Sequence, residues 1–425
     1  MGIASTPAAV LRLYPALGNG PFMLLWLGMM PATLAVMMNQ VASPYAAFSL
    51  SESAAVLGVV SLAQGVPMLL LGLVGGVVAD RLPRRLVLAG SQTALGIGAL
   101  SLAILGLAGV LQVWHIIAAT FLQGAAFAFN MPARQAYIAE LVPRAQLANA
   151  SALNNAGQNF CRVAGPALGG VLLAIPGVGI GGAFLTMAVM YAAALGVLFR
   201  LPGGSRRVGD TARASSASHL VEGLQYVRSS PPIVSLIAMN LVVVMFGMSY
   251  QTLMPVVAER VFGVGAEGLG LLLASSGVGA LAGALVVASL SRFRQPALLQ
   301  FGLGSGLGLA LVVFALTRSF PVAVGLLVVV GFLFSAFSAL NNTLLMANIE
   351  ARLTGRVMSI YLLTWGAMPL GSLPLAWLAD RAGAPVAIAL AGAVVAAVVI
   401  AIAVRTPAEH RIGWHPATAS AQHAE

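Results

Sequence analysis

Long runs of apolar residues, separated by short polar stretches, follow one another along the whole chain. A helix that crosses a bilayer needs about 20 consecutive apolar residues, and twelve segments close to that length occur. The first six run from Pro21 to Ala42, Ala54 to Ala79, Leu86 to Ala108, Trp114 to Phe129, Ala148 to Ala174 and Gly181 to Phe199. The second six run from Ile233 to Ala258, Gly268 to Leu290, Ala297 to Leu316, Pro321 to Met346, Val357 to Leu378 and Ala384 to Val404. The pattern predicts an all-α membrane protein with twelve transmembrane helices.

One long polar stretch, Arg200 to Pro232, divides these segments into two sets of six. We therefore predict an N-terminal six-helix bundle over residues 1–200, a cytoplasmic linker over residues 201–232 and a C-terminal six-helix bundle over residues 233–425. Within the linker, apolar residues alternate with polar ones from His219 to Arg228, which allows a helix lying at the membrane surface. A plain tether between two bundles is the simpler interpretation.

Faint sequence repeats relate the two halves. Gln40 near the end of the first helix matches Gln251 near the end of the seventh, and Gly165 matches Gly371. The matched residues lie 206 to 211 positions apart, which is about half the chain. The repeats predict two similar six-helix halves related by an axis along the membrane normal.

The composition supports a membrane protein and excludes several other classes. Of the 425 residues, 60% are hydrophobic and 8% are charged, whereas ordinary soluble chains are about 25% charged. The net charge of +10 comes from arginines spread over many short loops, so they form no basic groove for nucleic acid. The single cysteine, Cys161, excludes an intramolecular disulfide. The sequence contains neither a Walker phosphate loop nor a metal-spaced His or Cys cluster, so we expect no cofactor, no metal and no enzyme activity.

The distribution of arginines predicts the orientation. With both termini in the cytoplasm, seventeen arginines fall in the tails and cytoplasmic loops, and three, Arg260, Arg318 and Arg381, fall outside. This bias follows the positive-inside rule. We expect a multi-pass protein of the bacterial inner membrane that acts as a monomer, with a short N-terminal tail leading into a retained first helix.

A charged hairpin follows the second predicted helix. The sequence Gly75-Gly76-Val77-Val78-Ala79-Asp80-Arg81-Leu82-Pro83-Arg84-Arg85 resembles the loop between helices 2 and 3 of the major facilitator superfamily. The resemblance implies a conformational role, in which the loop and nearby basic residues hold the cytoplasmic face closed while the central site is open outward. The alternative is a basic loop that only sets topology. The gating candidates in this region are Gly76, Asp80, Arg81, Arg84, Arg85 and Arg134.

The fifth predicted helix contains Gly165-Pro166-Ala167-Leu168-Gly169-Gly170. A proline and three glycines bend a membrane helix and give it a smooth, close-packing face. The run resembles the signature of the antiporter branch of the superfamily, with Ala152 and Cys161 where that signature has two further glycines. The resemblance implies that Gly165, Pro166, Gly169 and Gly170 seal one end of a transport path. The alternative is ordinary packing of small residues.

The stretch Phe129-Asn130-Met131-Pro132-Ala133-Arg134-Gln135-Ala136 extends the resemblance. It is similar to the group of the superfamily that includes siderophore (enterobactin) exporters and macrolide-efflux-like permeases. The resemblance implies export of small amphipathic, drug- or siderophore-like molecules by alternating access, with proton antiport. The alternative is an importer or facilitator of a polar or anionic metabolite or a lysophospholipid. Thr120 stands where proton antiporters often carry an arginine, so proton coupling rests on the resemblance alone.

Arg162 is the most informative single residue, because it lies near the middle of the fifth predicted helix. A charge at that depth costs at least ~2.5–3.5 kcal/mol on insertion scales and marks a functional candidate. Arg162 either faces a water-filled cavity and meets an anionic or polar substrate, or bonds backbone carbonyls and amide side chains as a structural tie.

Neutral amides cluster on helices that line the path in the resembled fold. They can hydrogen-bond varied ligands, although for any one of them a helix–helix hydrogen bond is the commoner role. With Arg162, the substrate-path candidates are Asn39, Gln40, Gln123, Asn130, Asn155, Gln158, Gln251, Asn341 and Asn342.

Overall fold

The computed structural model describes residues 14–202, 216–289, 295–350 and 353–405. Side chains are described in these ranges except at residues 73–74, 76–77, 79–81, 216–221, 223 and 288–289. The described residues form helices joined by short turns, with no strand among them. The predicted all-α membrane fold is confirmed.

Six long helices make up the first half of the chain. They are α1 (Gly20–Ser51), α2 (Ala54–Arg81), α3 (Arg84–Leu107), α4 (Val113–Leu141), α5 (Leu147–Ala174) and α6 (Gly179–Arg200). Short 3₁₀ turns, Pro15–Gly18 and Arg144–Gln146, precede α1 and α5. The predicted ends of the first and fourth helices, Ala42 and Phe129, are wrong, because α1 continues to Ser51 and α4 to Leu141.

The second half has one short helix and six long ones. They are α7 (Ser216–Ser229), α8 (Pro231–Val261), α9 (Gly265–Ser289), α10 (Pro296–Leu316), α11 (Phe320–Asn348), α12 (Thr354–Ala382) and α13 (Ala384–Arg405). Two segments of α8, Val243–Gly247 and Val257–Val261, are π-helical. α12 is interrupted by a turn between Trp365 and Met368.

Eleven of the described helices are long and apolar enough to cross a membrane. α5 is not among them, although its 28 residues are sufficient in length. Its asparagines, glutamines and Arg162 lower its mean hydropathy. The outer surfaces of the other helices carry large exposed apolar side chains, of which Leu70, Leu316 and Val404 are each more than two-thirds exposed. Such surfaces are expected for helices in contact with lipid.

The chain divides into two compact units. Unit 1 comprises residues 1–50 and 66–209, and unit 2 comprises residues 51–65 and 210–425. α2 therefore belongs to both units, because residues 54–65 pack with unit 2 and the rest of the helix packs with unit 1.

The described part of the predicted linker contains a helix, α7, rather than an extended tether. α7 is held to unit 2 by an ion pair between Glu222 and Arg356 and by the buried side chain of Val227. The Tyr226 hydroxyl also accepts a hydrogen bond of 3.4 Å from the backbone N–H of Glu350.

Close helix crossings inside each unit depend on glycine. A Cβ atom on Gly165 of α5 would lie 2.3 Å from Met37 of α1, and one on Gly371 of α12 would lie 1.9 Å from the Met245 carbonyl oxygen of α8. Gly371 and Met245 follow Gly165 and Met37 by 206 and 208 residues, which matches the faint sequence repeat. The two halves thus repeat the same kind of helix contact.

The same repetition holds at other crossings. Gly75 of α2 faces the Ala128 carbonyl oxygen of α4, and Gly283 of α9 faces the Phe332 carbonyl oxygen of α11. In a bilayer, contacts of this closeness supply much of the packing that holds helices together.

We predict that Gly331→Ala destabilises unit 2, because its Cβ would lie 1.9 Å from the Ser276 carbonyl oxygen. Overpacking of this kind costs about 1–3 kcal/mol, so the melting temperature in detergent should fall by several degrees. The matched control is Gly325→Ala on the same helix, where no atom lies within 4 Å of the new methyl group. Equal melting temperatures for the two variants would contradict the packing argument.

Candidate functional site

α5 presents a polar face near the middle of the helix. Asn155, Gln158 and Arg162 recur at i, i+3 and i+7, the spacing that places residues on one side of a helix. Asn155 and Arg162 are exposed and Gln158 is half-buried. Arg162 is the sixteenth of the 28 residues of α5, about 22 Å from its start at 1.5 Å per residue. The extent of the helix confirms the predicted position of Arg162 near its middle, and its depth in the membrane stays a prediction.

A different side of α5 packs closely against α1. Gly157 lies against the end of Met30, Gly165 against Met37, and Gly169 against the Met38 carbonyl oxygen. Pro166 and Gly170 are also buried. These contacts lie within unit 1 and favour the packing interpretation of the glycine-rich run. Its role in gating stays a prediction.

Arg134 does not lie in a cytoplasmic loop, and that part of the sequence interpretation is corrected. It is the twenty-second of the 29 residues of α4, because the helix continues through Asn130 and Pro132. Its Nη1 donates a hydrogen bond of 2.9 Å to the Thr33 hydroxyl of α1. The buried thiol of Cys161 on α5 is close enough to interact with it electrostatically. Arg134 thus places a positive charge in the interior of unit 1.

A polar network joins α1 to α4. Asn39 Nδ2 donates to Gln123 Oε1 over 2.7 Å, and Ser43 Oγ donates to Asn39 Oδ1 over 2.6 Å. All three side chains line a small pocket inside unit 1, together with Thr120, whose buried hydroxyl has no hydrogen-bond partner. Such a pocket can take a water molecule or a small polar group.

The other amide candidates of unit 1 differ in exposure. Gln40 is exposed, so its side chain is available to a ligand. Asn130 donates through Nδ2 to the Ser91 hydroxyl of α3 over 2.8 Å, which ties α4 to α3.

Asn341 of unit 2 makes an equivalent tie. It is fully buried and accepts a 3.0 Å hydrogen bond from Gln300 of α10. Asn341 and Gln300 follow Asn130 and Ser91 by 211 and 209 residues, so the tie recurs in both halves. This placement favours a helix–helix role for Asn341. Asn342 and Gln251 are half-buried. The side-chain amide oxygen of Asn342 has no hydrogen-bond partner.

The charged hairpin is shorter than the sequence indicates. Asp80 and Arg81 end α2, Arg84 and Arg85 begin α3, and only residues 82–83 form the turn. The side chains of Asp80 and Arg81, and the surroundings of Gly76, lie outside the described part of the structure.

Arg84 and Arg85 fasten the start of α3 to the ends of two other helices. Arg84 Nη1 binds Glu140 of α4 at 3.2 Å, and Arg85 donates to the carbonyl oxygens of Phe199 and Leu201 at the end of α6. Arginines placed at helix C-termini satisfy orphan carbonyl groups. In this structure both side chains act within unit 1, and their role in gating stays a prediction.

Sequence reasoning missed several buried polar residues. Thr33 is the acceptor for Arg134, and Asn240 of α8 donates to Thr364 of α12 over 2.6 Å. Thr33 and Asn240 are polar residues within apolar runs, and that interruption is the signal that could have identified them. Asn154 belongs to the polar stretch of α5 that the sequence indicates, and it is almost fully buried with no partner for either amide atom. The described residues contain no group of three His, Cys, Asp or Glu side chains that could hold a metal ion.

We predict that Thr33→Val destabilises the protein, because it leaves a guanidinium N–H of Arg134 without its acceptor. An unsatisfied buried donor costs about 1–3 kcal/mol, so the melting temperature should fall. Thr33→Ser is the matched control, since it keeps the hydroxyl and should retain most of the stability. If the valine variant melts no lower than the serine variant, the hydrogen bond does not stabilise unit 1.

Comparison with known proteins defines the family. The sequence profile described as "Transmembrane secretion effector" matches residues 13–421. The multidrug efflux pump Tap of Mycolicibacterium fortuitum is 26% identical over 86% of this chain and 90% of its own length. The enterobactin exporter of Salmonella choleraesuis is 28% identical over 68% of each chain.

The fold comparison agrees with the sequence comparison. The crystal structure of the nucleoside transporter NupG (D323A mutant) superposes with a TM-score of 0.73 at 11% identity, over 91% of this chain and 99% of that one. At such low identity the likeness shows the fold alone. Together with the profile match, these findings show that the chain belongs to the transmembrane secretion effector family of major facilitator superfamily transporters.

Proposed function

We propose that this transporter exports small amphipathic molecules, drug- or siderophore-like, across the bacterial inner membrane by alternating access and proton antiport. The exporter function is supported by the family match and by relatives named as efflux pumps and exporters. The proposed orientation, with both termini in the cytoplasm, is supported by the distribution of arginines, which is sixteen to three once Arg134 is excluded because it lies within α4.

The placement of Arg162 carries the proposal. A guanidinium in the middle of a membrane helix is costly unless it meets water or a polar partner. Arg162 shares the exposed polar face of α5 with Asn155 and Gln158, whereas the small residues of that helix pack on α1. A face of this composition is suited to line a hydrated path. It offers charge-assisted hydrogen bonds to a carboxylate, phenolate or phosphate group of a substrate.

Arg134 strengthens the same assignment. Its described hydrogen-bond partner is the neutral hydroxyl of Thr33, so its positive charge is not cancelled by that contact. With Arg162 it gives the interior of unit 1 a positive potential, which favours substrates that carry a negative or strongly polar group. The exposed Gln40 and the amides Asn39 and Gln123 supply neutral hydrogen bonds for the rest of an amphipathic molecule.

The second candidate function is an importer or facilitator of an anionic metabolite. The same two arginines favour it, because they select for negative charge and carry no information on direction. Direction in the proposal comes from the relatives named as exporters.

We further propose that the end of α2 and the start of α3 control which side of the membrane the path faces. Under this proposal Asp80→Asn changes the ratio of inward to outward accessibility at an exposed reporter such as Gln40→Cys. The ratio is measured with membrane-impermeant thiol reagents in right-side-out and inverted vesicles. An unchanged ratio would refute a gating role for Asp80.

The transport function itself is tested by flux into inverted vesicles under an imposed pH gradient, over a panel of drugs and siderophores. Uptake of a panel member that needs the acidic interior supports proton-coupled export. Uptake that ignores the pH gradient contradicts antiport, and uptake only into right-side-out vesicles favours the importer.

For any transported compound with an acidic group, we predict that Arg162→Gln lowers uptake about tenfold or more. The estimate follows from loss of a hydrogen bond to a charged group, about 1.5–3 kcal/mol. Arg162→Lys should retain part of the uptake because it keeps the charge. Arg405→Gln, at the end of α13, is the control for loss of a positive charge elsewhere. If Arg162→Ala spares both uptake and its pH dependence, Arg162 is a structural tie and not part of the path.

A further inference from the structure

The short turn that precedes α1, Pro15–Gly18, is bonded to two other helices of unit 1. The backbone N–H of Ala16 donates to Asn149 Oδ1 of α5 over 3.1 Å. Asn19 Nδ2 donates to the Leu141 carbonyl oxygen at the end of α4 over 2.8 Å. We call these two hydrogen bonds the first collar. The first collar ties the start of α1 to the end of α4 and to the start of α5.

Asn19 binds two helices at once through the two polar atoms of its side chain. Oδ1 accepts a 3.1 Å hydrogen bond from the Phe22 N–H, so Asn19 is the N-cap of α1. Nδ2 satisfies a carbonyl group in the last turn of α4, where no donor is available within the helix. An aspartate at this position would cap α1 without holding α4.

Unit 2 has a similar pair of contacts, made by α7. Glu222 of α7 forms an ion pair with Arg356 of α12, and the Tyr226 hydroxyl accepts a 3.4 Å hydrogen bond from the Glu350 N–H just after α11. We call these two contacts the second collar. It ties the segment before α8 to the end of α11 and to the start of α12.

The two collars occupy equivalent places in the two halves. The residues of the second collar follow their counterparts by 206 to 209 positions: Glu222 and Arg356 follow Ala16 and Asn149, and Tyr226 and Glu350 follow Asn19 and Leu141. Asn149 and Arg356 are each the third residue of their helix, and the N-terminal turn and α7 each end one residue before the next helix begins. α7 is therefore the counterpart of the N-terminal turn in unit 2.

The two collars differ in their chemistry. The first collar consists of neutral hydrogen bonds between partly buried groups. The second collar depends on an ion pair in which the Glu222 side chain is 49% exposed. Salt screens an exposed ion pair and has little effect on neutral hydrogen bonds. The second collar is therefore the one that opens when ionic strength rises.

We propose that α7 is a docking element of unit 2 and not a tether, and that the Glu222–Arg356 pair positions the start of α12 against the segment that leads into α8. Under the proposed topology both collars lie on the cytoplasmic side. The helices that they align include α1, α5 and α8, which carry the path candidates Gln40, Arg162 and Gln251. The positioning role rests on the proposed transport function, whereas the docking of α7 does not.

The docking of α7 is tested by hydrogen–deuterium exchange of the full-length protein in lipid nanodiscs, without substrate. Glu222→Arg should speed exchange of the α7 amides about fivefold, because it replaces an ion pair by two like charges. Adding Arg356→Glu to that variant restores a pair of opposite polarity and should return the exchange to near its original rate. Arg228→Gln, at the exposed end of the same helix, is the matched control. Unchanged exchange in Glu222→Arg, an equal rise in Arg228→Gln, or failure of the double variant to recover would overturn the docking.

The equivalence of the collars is tested by the same measurement at two salt concentrations. Raising salt from about 0.05 M to about 0.5 M should speed exchange in α7 about two- to fivefold and leave the N-terminal turn unchanged. In Asn19→Asp the Ala16 amide should exchange faster while the Phe22 amide stays protected, because the cap acceptor is kept and the donor to α4 is lost. An equal salt response of the two segments, or equal exposure of both amides in Asn19→Asp, would contradict the assignment.

The positioning role is tested by uptake of a transported compound into inverted vesicles. Glu222→Arg and Arg356→Glu should each lower uptake by up to about fivefold, the factor by which the docked population falls, and the double variant should restore it. Full uptake in both single variants would overturn the positioning role. Absence of uptake by the unmodified chain over the whole panel would instead count against the proposed transport function, and the exchange measurement would still decide whether α7 docks.

Discussion

Close approach of helix backbones at glycine is the contact on which the rest of this structure depends. In lipid there is little hydrophobic force between helices, so their association relies on van der Waals contact and on polar ties. Gly75, Gly331 and Gly371 each face a carbonyl oxygen of a neighbouring helix at a distance that leaves no space for a side chain. Gly75 sets α2 against α4, and Gly165 sets α5 against Met37 of α1. These crossings therefore position the polar side chains that α1, α4 and α5 carry.

The polar residues of the two units fall into two groups, those that tie neighbouring helices together and those that are exposed. Their surroundings, and not their residue type, separate the two groups. Asn130 and Asn341 are both tied to a neighbouring helix, and the two ties recur at equivalent places in the two halves. Asn155, Gln40 and Arg162 are exposed, and of these three only Gln40 has a counterpart in the faint repeat, the half-buried Gln251. A duplicated scaffold therefore holds the bundle together in both halves. The exposed candidates for substrate contact lie in unit 1, on α1 and α5.

The sequence predicted the number of long helices and the all-α fold because apolar length is a direct consequence of bilayer thickness. It was less successful where polar residues lie inside a helix. Because Asn130 and Arg134 are polar, hydropathy placed the end of the fourth helix at Phe129. The helix continues through both residues, because a helical backbone satisfies its own N–H and C=O groups whichever side chains it carries. The π-helical segments of α8 and the hydrogen bonds that Asp380 of α12 accepts from Ser53 and Ala54 depend on contacts between distant parts of the chain. No local pattern around Ser53 or Asp380 indicates that they meet.

The polar composition of α5 has a consequence for how the protein is made. A segment that falls short of the hydropathy expected of a spanning helix partitions poorly from the translocon into lipid by itself. The two long apolar helices that flank it, α4 and α6, partition readily. α5 therefore enters the membrane as part of a group of helices, shielded by neighbours that are synthesised immediately before and after it. The helix that carries Arg162 is thus the one whose insertion depends most on its neighbours.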